Sequence, residues 1–172
     1  MSTSTSTTVR PESDSNFDKV VEFNNVFGVT VHNTPQPNIF TTDPALVKLR
    51  LSLIEEEVRE LKEAIDNHDM VETVDALADI LYVVYGAGAS FGVDLDNAFD
   101  IVHRSNMSKS CDSEKLAQET VAWYKENDDR YDTPDYRPAG EGKWVVFNRS
   151  TGKVLKSVRY TPADLKKAAG CA

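Results

Sequence analysis

Cysteine is nearly absent. The chain of 172 residues holds two, Cys111 and Cys171, at no metal-ligand spacing and in no disulfide framework, so the expected home is a reducing one, the cytoplasm. A basic surplus is missing as well: 19 Lys and Arg stand against 28 Asp and Glu, for a formal charge of −9. Binding by phosphate neutralisation needs a basic face, which excludes a general nucleic-acid binder. Nor is there a long hydrophobic run, since "ILYVVYGAGASFGV" is too short and too rich in Gly for a membrane span. The opening "MSTSTSTTVRPESDSN" has no apolar h-region, so no membrane partner and no export are expected. Poor in apolar residues and rich in Ser and Thr, residues 1–16 read as a disordered tail.

What is present is enough chain for one well-buried domain with a small appendage. "FDKVVEFNNVFG" carries apolar residues at helical spacing and stops at Gly28. "VTVHNTPQPNIFTTD" reads as a loop ending at Asp43, which caps a helix whose first residue is Pro44. That helix runs to about Asn67, and another runs from about Asp69 to Ser90. With only "NHD" between them, the pair should form an antiparallel hairpin. A further helix starts after Gly92 with Asp94 as N-cap and ends near Asn106, completing an all-α, four-helix-bundle core. "SEKLAQETVAWYKEND" predicts one more helix, and "DDRYDTPDYRPAGEG" a linker. "KWVVFNR" and "KVLKSVRY", joined through "STG", predict a short C-terminal β-hairpin, and "TPADLKKAA" a closing helix. The expected division is a tail over 1–16, a helical core over 17–109, an inserted segment over 110–142 and an appendage over 143–172.

The helix from Pro44 has a wide apolar stripe that includes Leu53, Ile54, Val58, Leu61 and Ile65, yet Glu57 and Glu60 fall inside it and Glu56 on its flank. Spacings of three and four bring these acids to one patch. On the next helix Glu72, Asp75 and Asp79 share a sector beside Val71, Val74, Ala78 and Leu81. Like charges against apolar surface repel and lose solvation unless a cation sits among them. A set of carboxylates without His or Cys suits a hard divalent ion, Mg2+ or Mn2+, better than zinc. A paired Glu-x-x-His motif is absent, which demotes a di-iron centre. The plainer reading is that such a charge run is a solvated face, and a second acidic set facing the first weighs against it.

With these residues in place, the sequence resembles the MazG-like, all-α nucleoside triphosphate pyrophosphohydrolase superfamily, and within it the phosphoribosyl-ATP pyrophosphohydrolase-like branch. The resemblance rests on "EEVRELKEAI", on "VDALADILYVVYGAGASFGVDLDNAFDIVHRSNMSK" and on the later "GKVLKSVRYTPADL". The superfamily signature, Glu-Glu-x-x-Glu followed by acid-x-x-Asp, is met by Glu56, Glu57, Glu60 and Asp79. The acid three before Asp79 is replaced by Ala76, and Asp75 is the substitute on the same face.

The resemblance implies Mg2+-dependent hydrolysis of a nucleotide to its monophosphate and pyrophosphate. Glu56, Glu57, Glu60, Asp75 and Asp79 would hold metal, with Glu56 or Asp75 orienting the attacking water. Arg104, Asn106 and Lys109 of "HRSNMSK" would meet phosphate or base, and His32 and Asn33 would receive base or sugar. A homodimer or homotetramer is expected, because a short bundle must bury its wide stripe. The inserted segment favours a (d)NTP and a nucleotide-pool role over phosphoribosyl-ATP and histidine biosynthesis. The rival from another class is a non-catalytic helical module that binds cations or a partner through its acidic face.

Overall fold

A computed structural model of the chain describes residues 15–171. The tail expected over 1–16 therefore lies outside the described residues except at its end, where Ser15 and Asn16 are ordered into a helix start. Among the described residues the chain is mostly helical, with six α-helices and a two-stranded antiparallel sheet. It divides into two compact units, residues 1–98 with 166–172, and residues 99–165.

The first unit contains α1 (Asn16–Val26), a one-turn α2 (Ile39–Thr42), α3 (Pro44–Asp66), α4 (Met70–Phe91) and the start of α5 (Leu95–Met107). The expected boundaries hold within a residue or two because the caps are local. Ser15 and Asp18 form a reciprocal capping box at α1. Asp43 accepts from the Leu46 amide ahead of Pro44, Asp69 accepts from the Val71 and Glu72 amides, and Asp94 accepts from the Asn97 amide. Gly92 ends α4 in the left-handed conformation, φ 72°. The short α2 falls inside the segment read as a plain loop, and buries Ile39.

α3 and α4 pack as a hairpin, and α1 packs on α4. The interior is built from small side chains: Ala64, Ala76, Ala87 and Ala89 are buried along with Val20 and Ile39. Small residues let helices approach closely, and a β-carbon at Gly88 would lie 2.5 Å from Leu95 Cγ. By length and mean hydropathy alone α4 could cross a membrane, but Gly86, Ala87, Gly88, Ala89 and Ser90 are buried within this unit.

The second unit contains the rest of α5, α6 (Glu114–Asn127), β1 (Pro134–Pro138) and β2 (Trp144–Asn148). Its core is Cys111, Leu116, Ala117, Val121, Tyr124, Val146 and Leu155, with Tyr131, Tyr136 and Trp144 packed on it. Two expectations are corrected here. β2 pairs with Pro134–Pro138, taken from the sequence as linker, in the register Pro134↔Asn148 to Pro138↔Trp144. "KVLKSVRY" makes a single bridge, Phe147↔Val154, before leaving the sheet. The reason is competition for its backbone, since the Lys156 amide donates to the Tyr124 hydroxyl and the Ser157 amide to the Lys109 carbonyl.

The second correction is that "TPADLKKAA" forms turns and no helix. Thr161, its first residue, has its amide donating to Ser108 Oγ and its carbonyl accepting from Ser105 Oγ. Those bonds fix it to α5 instead of capping a helix.

Candidate active site

Glu57 sits on the inner side of α3, partly buried, with its Oε2 shut away from solvent and without a hydrogen-bond partner. An orphaned carboxylate oxygen is costly, because nothing replaces the water it has lost. Burial, followed by the charges of Glu60, Asp79, Glu56 and Asp75, pushes the Glu57 carboxyl above its ordinary range. Each of these acids was picked out in the sequence, and the structure brings them within electrostatic reach of one oxygen. Glu56 and Glu60 come from the same helix as Glu57, whereas Asp75 and Asp79 come from α4 across the hairpin. Apart from Glu57 these side chains are solvent-exposed, and Ala76, between Asp75 and Asp79, is buried against the hairpin.

Among the described residues no group of three or more His, Cys, Asp or Glu side chains stands in an arrangement that would hold a metal ion. What exists is a patch of hard oxygen donors in mutual repulsion around an orphaned oxygen. Its donor chemistry fits Mg2+ or Mn2+, and it offers no soft or nitrogen ligand.

Of the other expected site residues, His32 and Asn33 belong to the first unit and Arg104, Asn106 and Lys109 to the second. His32 is held at the far end of α4: its amide donates to the Ala89 carbonyl, and its Nδ1 is 2.6 Å from the Ser90 carbonyl oxygen. A carbonyl only accepts, so Nδ1 carries the proton. By helical rise this is roughly 16 Å along α4 from Asp79, so His32 and its exposed neighbour Asn33 are not gathered with the acids.

Arg104, Asn106 and Lys109 belong to the second unit. Arg104 is exposed and lines a cavity of about 300 Å³ with Ser105, Ser108 and Thr161. The Lys109 ammonium donates to Asn106 Oδ1 at 2.7 Å. The serines of "HRSNMSK" have a clear structural task, since they clamp the backbone of Thr161. That clamp ties the motif to "RYTPADL" and was not read from the sequence.

A buried polar group inside the first unit was also missed. Arg50, on the face of α3 that carries Glu57 two turns later, is 6% exposed. Its Nε donates to Ser90 Oγ at 2.9 Å, and Ser90 Oγ donates to the Thr30 carbonyl at 2.9 Å. Arg50 Nη2 and Asn24 Nδ2 are buried donors without partners. The signal was available, because Arg50 interrupts the α3 stripe between Leu46 and Leu53 as plainly as Glu57 does further on.

The chain matches known proteins over the same elements. The family model described as phosphoribosyl-ATP pyrophosphohydrolase matches residues 20–106, a span that contains α3, α4, every acid of the patch and the buried Arg50–Ser90 pair. An uncharacterized protein of Acanthamoeba polyphaga mimivirus is 30% identical over an alignment of 231 residues, covering 85% of this chain and 92% of the relative.

Proposed function

Since the chain belongs to the phosphoribosyl-ATP pyrophosphohydrolase family, within the MazG-like all-α superfamily, we propose that it is a Mg2+-dependent nucleotide pyrophosphohydrolase that converts a (d)NTP to the monophosphate and pyrophosphate in the cytoplasm. The observation that carries this reading is the orphaned Glu57 oxygen, surrounded by carboxylates from both arms of the α3–α4 hairpin. A patch so arranged is tolerable when cations occupy it.

Glu56, Glu57, Glu60, Asp75 and Asp79 would hold the metal. When bound, it would supply charge to neutralise phosphate oxygens and would acidify a coordinated water. Glu57, partly buried and pushed towards its protonated form, gains most from a cation and anchors the set. Glu56 and Asp75, both exposed, are the candidates to orient the attacking water. Arg104, Asn106 and Lys109 would meet the anionic substrate, Lys109 with its ammonium already steadied by Asn106. His32 offers Nε2 as an acceptor beside Asn33 for sugar or base.

The working form is a homodimer or homotetramer. Leu51, Val58 and Ile65 on α3, and Met70, Val74, Leu77, Leu81 and Val84 on α4, are exposed in the single chain. Both sets run at heptad-like spacing, the pattern of helix faces that seat against other helices.

One observation favours a second substrate: the matching family is described by phosphoribosyl-ATP. Pyrophosphate release should therefore be measured over dNTPs, NTPs and phosphoribosyl-ATP, with and without Mg2+. We expect Mg2+-dependent release from a dNTP or NTP, abolished by Glu57→Gln and Asp79→Asn. Release from phosphoribosyl-ATP alone would move the enzyme to histidine biosynthesis. No release from any of them, or release that survives both substitutions, would refute the enzymatic reading.

A further inference from the structure

Between α1 and α4 the first unit holds an open cavity of about 210 Å³. Its walls include Val20 of α1 and Ala78, Tyr82 and Tyr85 of α4, and Asn16 and Lys19 supply its polar groups. The volume exceeds the roughly 150 Å³ of a cavity known to hold a benzene ring. A flat ring system is therefore of the size it takes.

The aromatic walls are set in advance. Tyr82 meets Phe23 edge to face, with centroids 5.5 Å apart and planes at 88°, and Phe23 stacks in turn on Phe27 at 4.3 Å. Tyr85 is tilted against Phe17 at 6.2 Å. Tyr82 is nevertheless 39% exposed, a ring braced by its neighbours and left open to the cavity.

Register on α4 ties this cavity to the acids. Tyr82 follows Asp79 by three residues and Asp75 by seven, which puts all three along one face of the helix. Neighbours three apart have β-carbons about 5–6 Å from each other, and the axial rise from Asp79 to Tyr82 is roughly 4.5 Å. One nucleoside bridges that distance. A phosphate held through a cation at the acids leaves its base within reach of Tyr82.

We propose that the α1–α4 cavity is the base subsite of the nucleotide, with Tyr82 as the ring on which the base stacks and Ala78 as the small residue that leaves room for it. The inference rests on the pyrophosphohydrolase reading above and names the part of the substrate that this cavity takes. Its lining suits a base better than the rivals. A phosphate would find one cation there, Lys19, amid apolar and aromatic walls. An apolar side chain from a second copy has no use for the Asn16 amide or the Lys19 ammonium. A base offers a π-face to Tyr82 and polar edges to Asn16 and Lys19. A site of this kind selects nucleotides over bare polyphosphate.

The test is calorimetric titration of the full chain in Mg2+ with α,β-methylene analogues of the dNTPs and NTPs, which resist cleavage. Inorganic tripolyphosphate serves as the baseless probe. We expect at least one analogue to bind tighter than tripolyphosphate. Tyr82→Ala should weaken that analogue by about 5- to 100-fold, and Tyr82→Phe, which keeps the ring, by less than about threefold. Ala78→Leu, at an exposed position, fills the cavity and should weaken it as much as Tyr82→Ala does. None of the three should change the affinity for tripolyphosphate.

Analogues that bind no tighter than tripolyphosphate would overturn the proposal, as would unchanged analogue affinity in both Tyr82→Ala and Ala78→Leu. So would an equal loss of tripolyphosphate affinity in those variants, which would mark damage to the acidic patch. A change of oligomeric state in Ala78→Leu would assign the cavity to a second copy and sink it too. Should Tyr82→Ala melt early, Ala78→Leu and Tyr82→Phe carry the decision. In all these results tripolyphosphate still binds the wild type. A wild type that binds neither tripolyphosphate nor any analogue refutes the pyrophosphohydrolase reading itself.

Discussion

A β-carbon at Gly92 would lie 1.9 Å from the carbonyl oxygen of Thr34 and 3.1 Å from His32 Cβ. Gly92 is thus doubly constrained, by its left-handed φ of 72° at the end of α4 and by the strand of loop pressed against it. Gly92→Ala should cost on the order of 3 kcal/mol or more, above the roughly 1 kcal/mol of an ordinary capping glycine, because the clash is with backbone. Chemical denaturation would measure it. A cost below 1 kcal/mol would mean that the His32–Thr34 segment yields freely.

Ser90 is the hinge pin of the buried polar group, accepting from Arg50 Nε and donating to the Thr30 carbonyl. Ser90→Ala leaves Arg50 Nε buried and unpaired, and removes the donor to the carbonyl of the exposed Thr30. A buried orphaned group costs about 1–3 kcal/mol, so the variant should lose roughly that much by urea denaturation. Ser90→Thr, which keeps the hydroxyl, should recover part of this unless its extra methyl is crowded out.

The legible parts of this protein were those decided within a few residues. Asp43–Pro44, Asp69, Gly92 and Asp94 announced the ends of α3, α4 and α5 because a cap is a local bond. The acids on α3 and α4 were legible because helical period alone fixes which residues share a face. Strand pairing was not: the two prolines of Pro134–Pro138 read as linker, and "KVLKSVRY" read as the partner of β2. The choice of Pro134–Pro138 over "KVLKSVRY" was made by long-range bonds from Lys156 and Ser157 to Tyr124 and Lys109. The closing helix failed for the same reason, with Thr161 captured by Ser105 and Ser108. Arg50 shows a different lapse, in which a charge in the apolar stripe was passed over although an identical argument had flagged Glu57.

The exposed apolar faces of α3 and α4 give an oligomer prediction. Leu81 is 55% exposed and Val74 59%, one heptad apart on α4. A lysine at either should disrupt a helix-packed interface through desolvation, without touching a core residue of the isolated chain. Sedimentation equilibrium should show the wild type as a dimer or tetramer, and Leu81→Lys and Val74→Lys as smaller species of unchanged helicity. A monomeric wild type would rule this interface out.

Glu57 supplies the pH prediction, with metal removed by chelator. Its folded pKa is raised, chiefly by burial and then by Glu60 and Asp79, so between the ordinary glutamate value and the raised one the native state binds more protons than the unfolded chain. Unfolding free energy therefore falls as pH rises through that window. The contribution of the protonated carboxyl is fully present below the ordinary glutamate range and lost above the folded pKa. Glu57→Gln stays neutral throughout, so the apo variant should become more stable than apo wild type as pH rises past the ordinary glutamate range and through the raised Glu57 value. At neutral pH the gap should be on the order of 1 kcal/mol, a few tenths for each like-charge neighbour relieved. Mg2+ should reverse the ranking, raising the melting temperature of the wild type in proportion to RT ln(1 + [Mg2+]/Kd), about 2.7 kcal/mol at a hundredfold excess over Kd. The variant should respond weakly, and its kcat/KM should fall at least about 100-fold. Equal Mg2+ stabilisation of wild type and Glu57→Gln would show that the cation binds away from Glu57.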